Sequence, residues 1–550
     1  MREPNSRSAL LIGMVAITTA LLSACGGSET KKTTTDVVQP TPVQASRILS
    51  QATFGPTAAE INRLTGMGTA AWFNEQFAKP QNLHLAYMNA SQANLPVGSR
   101  LSEDQFFESF WQQAVNGDDQ LRQRVAFALS QIFVISYQNN TLADNPRGVA
   151  AYYDMLGAYA FRNFRDLLEA VTLHPMMGNY LSSLRNQKTV GARVPDENYA
   201  REVMQLFTIG LRQLNQDGTD TSAPPIETYT SDDIKGLAKV FTGWSWAGPD
   251  KISTRFFGGN PDPNRDLLPM QNYPAYHEPL AKAFLGVTIP ANTSGEASLK
   301  IALDTLFNHP NVGPFIGRQL IQRLVTSNPS PAYVGHVAAI FANNGQGVRG
   351  DMKAVIKAVL LDPEAMTPSQ SSSAGKLREP VIRLANWMRA FNATSSSGHF
   401  QIGGLDDPLY ALGQTPMRSP TVFNFYRPEY VPPNTSIAAA KMFAPEMQIT
   451  EETSVVGYLN FMRNAIANGT GISRDIKADY SAELALSSTP DQLVDRIDLL
   501  LMQKQMSATL RSQLLAAVSS VPNTTANNKL NRVYLAIFLA MASPEYIVQK

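Results

Sequence analysis

Cysteine is all but missing from this 550-residue chain, which has one, Cys25. Disulfides therefore cannot hold the fold together, and a chain this long can bury a core large enough to do without them. Charge of one sign is missing too. The 46 basic and 45 acidic side chains nearly cancel, and setting aside Arg2, Glu3 and Arg7 leaves an even balance. That removes the electrostatic footprint of a nucleic-acid binder. Long apolar runs are absent except for residues 9–22, which are too few to span a bilayer. Strand-like alternation is scarce as well.

What is present begins with that apolar run. It follows Arg2 and Arg7 and has the length of the h-region of an export signal. It ends in Leu22-Ser23-Ala24-Cys25, which resembles the bacterial lipobox, after which the cysteine is acylated and becomes the first mature residue. An ordinary secretory leader or a retained anchor would leave Cys25 as a chance residue. Gly26 follows, where an Asp would retain a lipoprotein at the inner membrane, so the expected location is the cell envelope, with the outer membrane favoured. Residues 26–45 are Thr, Lys, Gln, Pro and Gly with almost no large apolar side chain, the composition of a disordered tether.

Residues 46–550 show no comparable break. They are expected to form one large unit, with room for two lobes, behind a signal peptide (1–25) and the tether (26–45). Apolar residues recur at three- and four-residue steps over 121–137, 152–171, 198–214, 298–307, 310–325, 351–361, 379–391 and 530–542. The expected fold is mainly α, a large multi-helix domain with few short strands. The best strand candidate is 252–257, beside Trp244 and Trp246.

Several local patterns imitate chemistry. Helices repeatedly end in a residue plus Pro: His174-Pro175, His309-Pro310, Asp362-Pro363, Ser543-Pro544. Proline disfavours helix in the residue before it and suits the first turn of the next helix, so both histidines can be read as caps at corners. Gly345-Gln346-Gly347-Val348-Arg349-Gly350 satisfies G-x-G-x-x-G, but the segment before it reads as helix where a dinucleotide loop needs a strand. No nucleotide cofactor is implied and no cofactor-binding residue is assigned. His277-Glu278 lacks the second histidine of a zincin, Gly243-Trp244-Ser245-Trp246-Ala247 lacks the last glycine of a nucleophile elbow, and Asn215-Gln216-Asp217-Gly218 is too short for a calcium loop.

One constellation carries a functional expectation. After Asp196, the residues Asn198, Arg201, Glu202 and Gln205 form a polar stripe at i, i+3, i+4 and i+7 on an otherwise apolar helix. The stripe faces either water, with Glu197 and Arg201 paired one turn apart, or a polar cavity. In the second case Glu202, His277 and Glu278 are candidate catalytic residues, and Glu197, Glu202, His277 and His174 candidate ligands of a divalent metal. Aromatic clusters at Trp244 and Trp246, and at Phe423, Phe425, Tyr426 and Tyr430, suit packing or the stacking of sugars and hydrophobic polymers.

The same segments make the chain recognisable. Arg47-Ile48-Leu49 with Ala52-Thr53-Phe54-Gly55-Pro56-Thr57, the segment 196–210 containing ENYARE, Phe241-Thr242-Gly243-Trp244, His277-Glu278 with 282–286, and segments 350–363 and 419–433 resemble, in order, the family catalogued as domain of unknown function 1800. The resemblance implies an exported bacterial protein without an agreed activity. It also implies a partner from unknown-function family 1501, whose members resemble sulfatases and alkaline phosphatases. Two functions of different class follow as expectations. One is a membrane-anchored accessory or scaffold lipoprotein that docks an exported partner. The other is a hydrolytic or metal-dependent enzyme built on Glu202 and His277.

Overall fold

A computed structural model describes residues 39–550 apart from 261, 370, 372 and 373. The leader, Cys25 and most of the polar stretch 26–45 lie outside the described residues. The first helix, Pro42–Ala52, opens with Thr41 as its cap and Pro42 in its first turn. Residues 42–45, grouped by composition with the tether, are therefore helical.

The architecture is mainly α, with 26 α-helices among the described residues. Strands are two or three residues long and pair only as antiparallel couples. Trp244–Ser245 pairs with Gln271–Asn272, and Lys376–Leu377 with Val548–Gln549. The second couple ties the end of the chain to its middle. The strand expected at 252–257 is instead the short helix Ser253–Phe256. Phe256 stacks on Tyr276 at 3.9 Å and meets Tyr273 edge-on, so local ring packing overrides the strand propensity of the aromatics. No helix among the described residues is long and apolar enough to cross a membrane.

Proline corners organise the helices. Asp362 caps Pro363–Met366 by accepting the Glu364 N–H, Ser543 caps Pro544–Ile547, and His174 caps Pro175–Tyr180 through Nδ1. Each cap satisfies a donor that the helix start leaves free. The G-x-G-x-x-G glycines follow the helix Pro331–Ala342, and Asp351 then caps Met352–Leu361.

Residues 39–550 pack as one unit around helices that are buried on nearly every side. In Pro380–Ala390 every residue is buried, and in Gln120–Ser130 all but Arg122. Such helices have no wet face, so their polar residues must find partners inside the core. Arginines meet this need by reaching helix-end carbonyls. Arg389 donates to Gly55 at 2.6 Å and Val115 at 2.7 Å, and Arg47 to Ala365 at 2.7 Å. Burial lowers both guanidinium pKa values to about 10.

Candidate functional site

His277 and Glu278 lie in a corner built from residues 183–196, 241–244 and 272–282. Gly243 sets the corner: its φ is +79°, and a Cβ there would stand 2.8 Å from His277 N and 2.9 Å from Tyr273 O, so only glycine fits. Its N–H donates to Asn186 O at 2.8 Å, and its carbonyl accepts from Tyr273 N at 2.7 Å. The Asn186 side chain clasps both backbone groups of Asp196, where the ENYARE segment begins. Tyr199 of that helix meets Phe241 edge-on at 4.8 Å. Three of the recognisable segments thus converge, and they do so through backbone and packing.

Within the corner, His277 Nδ1 lies 2.9 Å from Thr242 O and can only donate to it, so neutral His277 keeps its lone pair on Nε2. Nε2 is buried and finds no partner among the described residues. Burial holds the ring's pKa below its ordinary value. Glu278 accepts the Thr189 N–H at 2.9 Å and that of Leu280 at 3.3 Å. Burial pushes its carboxyl up, and those N–H bonds outweigh the push. Lys282, fully buried, donates to Leu280 O at 3.3 Å, and burial lowers its pKa.

The remaining candidates sit on other elements. His174 caps its helix and packs edge-on against Tyr152 at 5.1 Å, and burial drops its pKa to about 3. Glu197 pairs with Arg201 at 3.4 Å across one helical turn near the surface. Glu202 is buried on the same helix, Asn198–Gln205, with Oε2 unpartnered, and burial raises its pKa. The polar stripe therefore splits, since Arg201 is exposed, Asn198 and Gln205 are half-buried, and Glu202 points inward. Among the described residues, no group of three or more His, Cys, Asp or Glu is placed to hold a metal ion. The set His174, Glu197, Glu202 and His277 does not gather into a ligand cluster.

Sequence reasoning missed a charged layer beneath residues 419–433. Lys376 sits 3.0 Å from Glu446 and 3.8 Å from Glu379, all three nearly fully buried. Lys376 also donates to Arg323 O at 2.9 Å, as does Arg124 at 2.7 Å, while Arg323 donates to Gln131 O at 2.8 Å. Gln131 and Gln414 both donate to Glu379 Oε2. Burial pushes Glu379 up, but Lys376, Arg124 and the two amides outweigh it and hold the carboxyl below its ordinary value. In Glu446 burial wins, and the pKa rises. Polar atoms without a protein partner concentrate here, including Arg124 Nε and Nη1, Arg323 Nε, Glu446 Oε2 and the Tyr426 hydroxyl.

Above this layer the segment 423–429 alternates. Asn424 and Tyr426 are buried, while Phe423 and Arg427 face a groove of about 180 Å³ shared with residues 205–214 and the helix Val312–Leu324. Arg427 stacks on the Phe423 ring at 4.8 Å. Glu202 and His277 do not line the groove, although Gln205 and Leu206 do. The signal that could have found this region was the density of Arg and Gln on helices with no polar face.

No curated protein and no solved structure matches the chain. The family model described as protein of unknown function DUF1800 matches residues 47–548. That span takes in every segment just described, the corner, the charged layer and the groove, and the chain belongs to this family.

Proposed function

We propose that the protein is an exported bacterial lipoprotein, acylated at Cys25 and held at the cell envelope, with the outer membrane favoured, where its helical domain docks an exported partner. The anchoring half rests on the leader and on the place of the only cysteine at the end of the lipobox. A tether fits the gap between Cys25 and the helix that opens at Pro42. The docking half is carried by one observation: among the described residues no three His, Cys, Asp or Glu side chains are placed to hold a metal ion, and His174, Glu197 and Glu278 are engaged in a cap, an ion pair and a corner. The phosphatase-like partner implied by the family resemblance is the kind of protein it would serve.

Labelling with an alkyne fatty acid, followed by mass analysis of the amino-terminal peptide, tests the anchor. The expected result is acylated Cys25 in the wild type and loss of the label in Cys25→Ser. An identical acylated species from Cys25→Ser would overturn it.

A hydrolytic reading is favoured by one specific feature, the buried His277 ring that presents an unprotonated Nε2 beside Glu278 and Lys282. It would require hydrolase activity of the purified protein that falls at least a hundred-fold in His277→Gln. Equal activity in both proteins would end that reading.

A further inference from the structure

Charged clefts elsewhere in the molecule neutralise themselves. In the cleft of about 590 Å³ lined by Glu60, Arg63, Glu75, Lys79 and Asp118, Arg63 holds Glu60 and Glu75 at 2.6 Å each and Lys79 holds Asp118 at 3.0 Å. The groove above the charged layer is different. Arg318 lines it and makes no hydrogen bond or ion pair among the described residues, and its Nε is buried without a partner. Its guanidinium lies 5.7 Å over the Phe443 ring, and Glu429, Asp220 and Asp217 attract it only from a distance, the first two already held by Arg212 at 2.8 Å and 3.3 Å. An unpaired, half-buried guanidinium is costly unless something planar and anionic completes it.

Two neighbouring amides are also incomplete. Gln319 is 5% exposed, and its Nε2 finds no acceptor. Gln322, one turn along, is 2% exposed; its Nε2 donates to Ser327 O and Pro428 O, but its Oε1 finds no donor. Both line the groove, whose apolar walls are chiefly Leu206, Phe315 and Phe423 and whose rim carries Arg212 paired with Glu429, and Arg427 stacked on Phe423. The volume of about 180 Å³ falls below the roughly 300–1,000 Å³ of a drug-sized site. It excludes a large cofactor and suits a single anchor residue of the kind that dominates protein interfaces.

We propose that this groove binds the carboxyl-terminal residue of a partner protein. The carboxylate pairs with Arg318, Gln319 Nε2 donates to a peptide carbonyl, Gln322 Oε1 accepts a peptide N–H, and an apolar side chain fills the remaining space. A chain terminus is the smallest unit that carries a planar anion, a peptide donor and acceptor, and an apolar branch within one residue's reach. The inference rests on the docking half of the function proposed above and names its chemistry. The two tests fail separately, because acylation of Cys25 does not depend on the groove and peptide binding does not depend on acylation.

The probes are the acetylated tripeptide Ala-Ala-Leu as the free acid, its carboxamide, octanoate and inorganic phosphate, titrated into the purified full chain to millimolar concentration by saturation-transfer NMR. The free acid is expected to bind at least about ten-fold more tightly than the amide, the loss anticipated when one side of a charge pair is removed, and more tightly than octanoate, which keeps the carboxylate but has no peptide donor or acceptor for Gln319 and Gln322. Arg318→Gln is expected to erase the acid-to-amide difference without moving the melting temperature, and Arg318→Lys to keep part of it. Leu211→Glu, at an exposed rim position, supplies a second variant that leaves the core untouched and should weaken the free acid by a similar factor.

Absence of binding by the free acid, equal binding of acid and amide, or wild-type affinity in both Arg318→Gln and Leu211→Glu would overturn the proposal. Equal binding of octanoate would make this a small-acid site, and binding of phosphate alone would make it an inorganic-anion site. Either result also overturns it.

Discussion

The corner around His277 and the layer around Lys376 are both buried and both rich in ionisable groups, yet they handle charge in opposite ways. In the corner, each ionisable side chain is tied to backbone: His277 to the Thr242 carbonyl, Glu278 to the Thr189 and Leu280 N–H groups, Lys282 to the Leu280 carbonyl. In the layer, side chains meet one another, Lys376 with its near neighbour Glu379 and the more distant Glu446, and Gln131 and Gln414 with Glu379. Nearly every residue offers a backbone donor and acceptor whatever its side chain, so any segment that reaches the corner can supply one. Side-chain partners must also be of the right type. The corner therefore ties its ionisable groups to backbone from segments up to 89 residues away, while the layer ties side chains to one another.

Three perturbations separate the two regions, beginning with the largest. Glu379→Ala leaves the Gln131 and Gln414 amides without their shared acceptor and removes the negative charge that faces Lys376 and Arg124, and removing one partner from a buried ionic network costs about 3–5 kcal/mol. Urea unfolding should show that loss or an unfolded protein, and a change under 1 kcal/mol would mean the layer does not hold charge as described. Gly243→Ala attacks the corner instead. It forces positive φ on a residue with a Cβ and presses that Cβ onto the His277 and Tyr273 backbone, costing about 1–3 kcal/mol or more. The same unfolding measurement, with an unchanged midpoint, would refute the tight corner.

Acid should separate the regions more gently. Burial lowers the ring pKa values of His277, of His84 to about 4 and of His174 to about 3, below the ordinary 6.5. As pH falls below 6.5 the unfolded chain takes up protons that these folded rings refuse, so their contribution is fully present above 6.5 and is lost on acidification. The Glu379 carboxyl is held below its ordinary 4.5. Its contribution persists above that value and is lost only as pH falls through the folded-state value. Burial lowers the His309 ring as well, so His277→Gln, which removes one ring of four, should flatten the decline in unfolding free energy between pH 7 and 5 without abolishing it. It should leave the loss below pH 4.5 unchanged. A single acid transition, untouched by His277→Gln, would erase the distinction.

Much of this was legible in the chain. Helix periodicity located the helices now seen at Gly295–Asn308, Val312–Leu324, Met352–Leu361 and Pro380–Ala390, with small shifts at their ends. The caps at His174 and Asp362 were legible because X-Pro chemistry acts between neighbours. The segment 152–171 read as one helix but is split, since Ala160 ends Pro146–Tyr159 and Asn163 caps Phe164–Leu173. A polar cap inside an apolar period is easily overlooked. The candidate site was read from residue types and helical spacing, which cannot report whether Glu202, His277 and the others gather, and among the described residues no three potential ligands do. Arg124, Arg323, Glu379 and Glu446 meet across hundreds of residues of chain, and no spacing rule reports such meetings.

The sequence by itself determined that this chain folds as packed helices without disulfides, where those helices turn at prolines, and where its only cysteine stands. Those outcomes depend on dihedral preference, periodicity and composition, which act over a few residues. Tertiary structure alone decided which arginines and glutamines lost their solvent, that Glu202 turned inward, and that Arg318 makes no ion pair among the described residues. Burial and pairing depend on what the rest of the chain places opposite each side chain, and only the complete packing supplies that.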